Sequence, residues 1–209
     1  AILNGEKETG ISIMRTELGL DSGPVLVQDK CEISENETSV DLTKKLSLLG
    51  PKSLIKALEL IRDGKANFID QDHTKATKAP SLKKELGLID WNKAAVEIHN
   101  KVRALQPWPS AYTKFQGKVI KIWETRTGEP ESRRTGENSS ENKFSPSPAL
   151  LTSGSLEYGS IIDIKDFIRV QTKDGFIDIY KVQPENKKIL NVKDWVNGAR
   201  VKIGDKFEF

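Results

Sequence analysis

The chain has 209 residues, 36% of them hydrophobic and 30% charged, with a formal net charge of +3. That is enough for one large domain or two small ones with a buried core, and no apolar run approaches the length of a membrane span. The charge is uneven: residues 1–70 hold 9 Lys/Arg against 12 Asp/Glu, net −3, and residues 71–209 hold 24 against 18, net +6. An acidic piece followed by a basic one points to a polyanionic partner such as RNA, beside the plainer reading of a solvated basic face. A single cysteine, Cys31, excludes an internal disulfide framework and fits a reducing compartment, so sequons at Asn36 and Asn138 read as chance. The opening AILNGEKETG has no initiator methionine and neither the basic start nor the apolar run of a secretory signal. The expected location is the cytoplasm, or an organellar matrix in a eukaryote.

In chain order, Ile11, Ile13 and Met14 begin an extended run, and Val25-Leu26-Val27 resume β-type residues. Between them lies LGLDSGP, Leu18 to Pro24. Asp21 there sits between glycines on a loop that proline stiffens, which suits a turn and equally suits a carboxylate brought close to a ligand. Thr38 with Asp41 makes a capping box. Leu42, Leu46 and Leu49, then Leu54, Ile55, Leu58 and Ile61, recur at helical spacing, with Gly50-Pro51 expected to break or kink the run and Gly64 to end it. Residues 65–89 read as a linker with a short helical turn near Leu82.

Asp90 is expected to cap the helix WNKAAVEIHNKVRALQ. Its stripe of Trp91, Ala94, Ala95, Ile98, Val102 and Leu105 leaves His99 on the polar side, and Pro107 ends it. Ala111–Phe115 and Val119–Trp123 bracket a hairpin turn at Gln116-Gly117-Lys118. From Thr125 to about Gly154 the chain is polar and reads as a long flexible loop. Strand signals return at Ser160–Ile164, Phe167–Thr172 and Phe176–Val182, followed by a short helix over Asn191–Asn197 and a closing segment that turns at Gly204. Five short strands suggest a small barrel or sandwich of the oligonucleotide-binding type.

Metal chemistry lacks a ligand set, since His73, His99 and Cys31 are scattered. No serine-centred nucleophile motif or glycine-rich phosphate loop is present, and Cys31, between Asp29 and Glu32, reads as structural. The basic candidates are Lys75, Lys78, Lys83, Lys84, Lys187, Lys188, Arg200, Lys202 and Lys206, each an ordinary surface cation unless several cluster. Trp108, in Pro107-Trp108-Pro109, reads as a wedge packing the helix onto the barrel rather than as a base-stacking platform.

Several stretches, in one order, resemble the methionyl-tRNA formyltransferase family: NGEKETGISIM, GLDSGPVL, LLGPKSL, LIDWNKAAVEIHNKVRALQPWPSAYT and VQPENKKIL. The related enzymes that formylate a sugar nucleotide, or hydrolyse or oxidise formyltetrahydrofolate, share the LDxGP loop; the Pro-Trp-Pro turn and the late lysine-containing segment look more like the tRNA enzyme. The resemblance implies the α/β C-terminal part of a Rossmann-like formyltransferase domain over residues 1–70, a basic linker over 71–89, and over 90–209 a β-barrel domain resembling the oligonucleotide-binding fold with its flexible insert at about 125–154. It also implies transfer of a formyl group from the co-substrate 10-formyltetrahydrofolate to the amino group of methionine on initiator tRNA, a one-carbon transfer that serves translation initiation.

The catalytic Asp of the LDxGP loop corresponds to Asp21, and Leu20, Asp21, Ser22, Gly23 and Pro24 correspond to the loop against the co-substrate. Lys78, Lys83, Lys84, Lys187, Lys188, Arg200 and Lys202 resemble the family's tRNA-binding channel. The family's Asn and His, in an N-x-H segment upstream of the loop, have no counterpart in these residues. The 209 residues are therefore expected to be a part of such an enzyme, inactive alone, with residues 1–70 covered by the missing half or another chain along Ile11–Met14 and Val25–Val27. A tRNA-binding module without catalysis and a sugar-nucleotide formyltransferase are the alternatives.

Overall fold

A computed structural model describes residues 1–127 and 157–208. They form two units, one from Ala1–Gly87 with Arg103–Ser110, the other from Leu88–Val102 with Ala111–Phe209.

In the first unit, β1 (Glu8–Met14) and β2 (Val25–Glu32) form an antiparallel pair. Both strands pack against one long helix, α1 (Ser39–Arg62). Thr38 caps that helix as expected, with Asp41 returning the second half of the box. Gly50-Pro51 does not break it: α1 continues through Pro51 for 24 residues. The helix also turns differently from the expected stripe. Its buried positions are Leu42, Ser53 and Ala57, whereas Leu54, Ile55, Leu58 and Ile61 are exposed. Small residues face the strands because Ser53 must reach Asp29 on β2, donating to its carboxylate at 2.7 Å beside Lys56 at 3.2 Å. Ile2, Ile33 and Leu42, with Cys31, Leu46 and Ala104 against them, make the small core of this unit. The chain after α1 bridges back to β2 at Ile69 and forms 3-10 turns at His73–Lys75 and Lys84–Gly87, the second just beyond the expected turn near Leu82.

Also in this unit, the Arg103 guanidinium is buried and donates to the carbonyls of Ser34 and Glu37. Burial pushes its pKa below the usual arginine value, and the charges of Glu37 and Glu35 only partly oppose that shift. Peptide bonds Gln106-Pro107 and Trp108-Pro109 are cis, and the Ser39 hydroxyl donates to the Gln106 carbonyl. Trp108 is not the expected wedge; it is 58% exposed.

In the second unit, alternation of buried and open residues builds an antiparallel sheet ordered β3-β4-β7-β6-β5, with β8 paired to β7. The strands are β3 (Ala111–Phe115), β4 (Lys118–Thr127), β5 (Ile161–Ile164), β6 (Ile168–Thr172), β7 (Gly175–Pro184) and β8 (Leu190–Asn191). Thr125 to Thr127, expected to begin the flexible loop, instead complete β4, and the rest of that insert lies outside the described residues. Among the described residues the strand ladder itself is an open sheet. Its two edges each meet the C-terminal segment in single bridges, Lys114 with Glu208 and Ser160 with Lys206.

The inner face carries Ile120, Ile122, Ile168, Val170, Ile177, Ile179 and Val182, all buried. An aromatic group fills the space beside it: Trp91 stacks on Phe207 with ring centroids 5.3 Å apart, and Trp195 stacks on Phe207 at 6.2 Å. The Trp91 indole N–H donates to Thr113 at 3.1 Å, satisfying the one polar atom this packing buries. Gly159 is held here by sterics, because a Cβ there would lie 2.8 Å from the Phe207 carbonyl. On the outer side Arg169 makes a two-pronged pair with the buried Asp178 carboxylate, at 2.7 and 2.9 Å.

Helix α2 (Ala95–Ala104) starts later than expected. Asp90 caps only a local turn at Asn92, and the helix N-terminus is closed by Asp174 of the β6–β7 hairpin, which accepts from the Ala95 N–H at 2.8 Å. His99 is buried, not on a polar face, with Nδ1 2.9 Å from the Thr125 hydroxyl. Helix α3 (Val192–Ala199) packs on β7 and β8 through Val192 and Trp195. Among the described residues no helix is long and apolar enough to cross a membrane.

Candidate active-site loop

The loop between β1 and β2 is closed at its root by the Arg15 N–H donating to the Pro24 carbonyl at 3.0 Å, next to the Met14–Val25 pair. Gly23 is buried at that root, where a Cβ would lie 1.8 Å from the Arg15 carbonyl oxygen, so no other residue fits the close approach of the two chains. Beyond the root the tip is open to solvent, with Leu18 and Leu20 exposed. Asp21 has φ 49°, a left-handed conformation that aspartate tolerates better than most residues, and its side chain is exposed.

A groove of about 1160 Å³ in the first unit runs along this loop, lined by Leu20, Asp21, Ser22, Val25, Gln28 and the segment from Ile69 to Pro80. It brings three of the five expected loop residues to one surface with Lys78. Gly23 and Pro24 lie behind it as the buried root. The groove also holds His73 and Lys75, with Lys75 paired to Asp72 at 3.2 Å. The Thr74 hydroxyl, the Lys75 ammonium and the Thr74 N–H hold the Asp72 carboxyl below its usual range.

Lys83 and Lys84 are exposed in the same unit, at the start of the second 3-10 turn. In the second unit Lys187 and Arg200 share a groove of about 550 Å³ with Lys118, floored by Phe115, Ile120 and Trp195. Lys188 and Lys202 are exposed but line neither groove. Among the described residues, none of these seven cations makes an ion pair, whereas Lys75 and Lys206 do. No group of three or more His, Cys, Asp or Glu gathers in a metal-binding arrangement among the described residues.

The residue missed by the sequence is Gln71. Its amide donates to the carbonyls of Asp21 and Gly23, at 2.9 and 2.7 Å. No periodicity could find it, because the contact joins residues about fifty apart through the Val25–Ile69 bridge.

Two family models cover this chain: that of the formyl transferase C-terminal domain matches residues 81–200, and that of formyl transferase matches residues 1–58. The chain belongs to the formyl transferase family. Among its curated relatives, methionyl-tRNA formyltransferase of Carboxydothermus hydrogenoformans is 37% identical over 99% of the chain, and that of Alkaliphilus oremlandii 35% over 98%. The chain spans 60% and 59% of those two relatives. Among solved structures, the fold is similar to HypX from Aquifex aeolicus in complex with tetrahydrofolic acid (TM-score 0.62, 16% identity, 98% of this chain and 33% of that one). It is similar also to WlaRD, a sugar 3N-formyl transferase (TM-score 0.60, 20% identity, 90% and 58%). The formyltransferase fold thus accounts for both units, the α/β piece that carries the Asp21 loop and the antiparallel sheet with its two helices.

Proposed function

We propose that this chain is the part of a methionyl-tRNA formyltransferase that carries the LDxGP loop and the tRNA-binding cations. The observation that carries the reading is continuous identity of 33–37% to enzymes of that name across nearly all of the chain, loop and sheet unit alike. The reaction moves a formyl group from 10-formyltetrahydrofolate to the α-amino group of methionine on initiator tRNA. The amine nitrogen bonds to the formyl carbon, the bond from that carbon to N10 breaks, and the proton lost by the amine balances the one gained by N10.

Asp21 is the catalytic residue of this segment. An exposed carboxylate on a left-handed backbone, at the lip of a groove, is placed to orient an imidazole and favour its protonated form, which stabilises the tetrahedral oxyanion. Leu20, Ser22, Gly23 and Pro24 shape the backbone beside the co-substrate. Lys78, Lys83 and Lys84 in one unit, and Lys187, Lys188, Arg200 and Lys202 in the other, neutralise tRNA phosphates, which gives affinity with little base reading. The bridges of the C-terminal segment to both sheet edges, Lys114 with Glu208 and Ser160 with Lys206, support a barrel of the oligonucleotide-binding type for the second unit, and the formyl transferase match over residues 1–58 supports a Rossmann-like origin for the first.

The test is a formyl-transfer assay on the natural gene product with 10-formyltetrahydrofolate and either methionyl-tRNA or a nucleotide-linked amino sugar as acceptor. Formylation of methionyl-tRNA alone supports the reading. Formylation of the sugar, or of neither acceptor, overturns it.

A further inference from the structure

We propose that Gln71 is a positioning residue that fixes Asp21 for catalysis, an inference that rests on Asp21 being the active-site carboxylate. The loop tip has little else to hold it. Leu18 and Leu20 are 109% and 92% exposed, so packing does not order the tip. Among the described residues no backbone–backbone hydrogen bond ties residues 16–23 to the rest of the fold, the last such bond being Arg15 to Pro24 at the root. Yet Asp21 keeps a left-handed φ of 49°, which aspartate tolerates but which is uncommon enough that a local contact is expected to select it.

The Gln71 amide supplies that restraint. Its two N–H bonds go to two carbonyls of one short arc, Asp21 O at 2.9 Å and Gly23 O at 2.7 Å. The Asp21 carbonyl and Cβ share one Cα, so holding the carbonyl of Asp21 and that of Gly23 narrows the directions in which the carboxylate can leave the backbone. Gln71 is itself anchored on both sides. Two residues earlier, Ile69 exchanges both backbone bonds with Val25, at 2.8 and 2.9 Å. One residue later, Asp72 caps a 3-10 turn through Thr74. The anchor on Val25 is the first residue of β2, just after the loop, so the clamp and the loop root move as one piece. A primary amide stays neutral across the working pH range, so the clamp donates without adding a charge beside the carboxylate.

The experiment uses the natural gene product and three substitutions. Gln71→Met keeps the volume and removes the donor, Gln71→Glu sets a carboxylate against two carbonyls, and Gln71→Lys restores a donor. Met and Glu are expected to lower kcat for formyl transfer about tenfold or more with KM for the acceptor changed less than about threefold, and Lys to recover part of the loss. In an Asp21→Asn background the Gln71→Met change should cost less than about threefold, because there is no longer a carboxylate to position. Unchanged kcat in Gln71→Met, or equal losses in both backgrounds, overturns the proposal. The clamp is also read without catalysis: in Gln71→Met the backbone amides of Ser22 and Gly23 should lose order by NMR relaxation. If those amides loosen while Asp21→Asn keeps full activity, the clamp stands and the reading of Asp21 is what fails. If they stay rigid, the clamp fails.

Discussion

Replacing Gly23 by alanine tests whether the loop root sets the geometry of the site. The added Cβ would lie 1.8 Å from the Arg15 carbonyl oxygen, where real Cβ contacts essentially never fall below 3.0 Å, so the two chains must part by about 1.2 Å. That separation breaks or stretches the Arg15–Pro24 bond at 3.0 Å and the Gln71–Gly23 bond at 2.7 Å. At about 1 kcal/mol for each bond, with about 1–3 kcal/mol of strain, keeping the native loop costs roughly 3–5 kcal/mol. The tip is exposed and can refold for less, so the root gives way while the core of the unit survives. Urea unfolding should therefore show a loss smaller than the full cost, while kcat/KM for formyl transfer falls about 100-fold or more as Asp21 leaves its place. Gly198→Ala, the same chemical change in α3 where a Cβ meets nothing within 4 Å, should leave activity alone and stabilise by about 0.5–1 kcal/mol. A Gly23→Ala enzyme within threefold of wild-type kcat/KM would show that the loop root does not set the geometry of the site.

Asp29, Glu37 and Asp41 are all held below their usual pKa. The Ser53 hydroxyl and then Lys56 act on Asp29, and the Thr38 hydroxyl and N–H act on Asp41. For Glu37 burial pushes upward and is outweighed by Lys45 and the Ser34 N–H. Depressed folded pKa values mean that the unfolded chain binds more protons in acid. Their stabilisation is therefore present above the ordinary carboxylate range and lost as pH falls through the folded values. Ser53→Ala should accordingly be less stable than wild type near neutral pH, with the gap narrowing as pH falls below the ordinary carboxylate range in urea titrations; a gap independent of pH contradicts the assignment. Changing Lys78, Lys83 and Lys84 together to alanine should weaken tRNA binding and lower the slope of log affinity against log salt by about 2–3, measured by filter binding across a salt series. An unchanged slope removes these residues from the phosphate contacts.

The sequence was most legible where local chemistry decides. The Thr38–Asp41 box, the β3–β4 hairpin and the strands after Ser160 follow from residue type and spacing within a few positions. It misled where partners lie far along the chain. Asp90 had the right type and place for an N-cap, but Asp174, 79 residues beyond the Ala95 N–H it accepts from, takes that role. His99 looked solvent-facing because its polar partner, Thr125, comes from β4. In α1 the bulky Leu54, Ile55 and Leu58 mimic a core stripe while Ser53 and Ala57 face the strands, since the Ser53–Asp29 bond and the close approach of helix to sheet favour small residues there. At the site, glycine and proline marked the loop and Asp21 within it. The Gln71 clamp could not be read locally, because it joins residues about fifty apart beside the bridge between Val25 and Ile69.

On the proposed function, the carboxylate of Asp21 takes part in formyl transfer to methionyl-tRNA. Asp21→Asn in the natural gene product keeps the volume and the loop while removing the charge. Single-turnover formylation with saturating 10-formyltetrahydrofolate should slow by about 100-fold or more, with tRNA affinity unchanged. A rate within threefold of wild type would contradict the account.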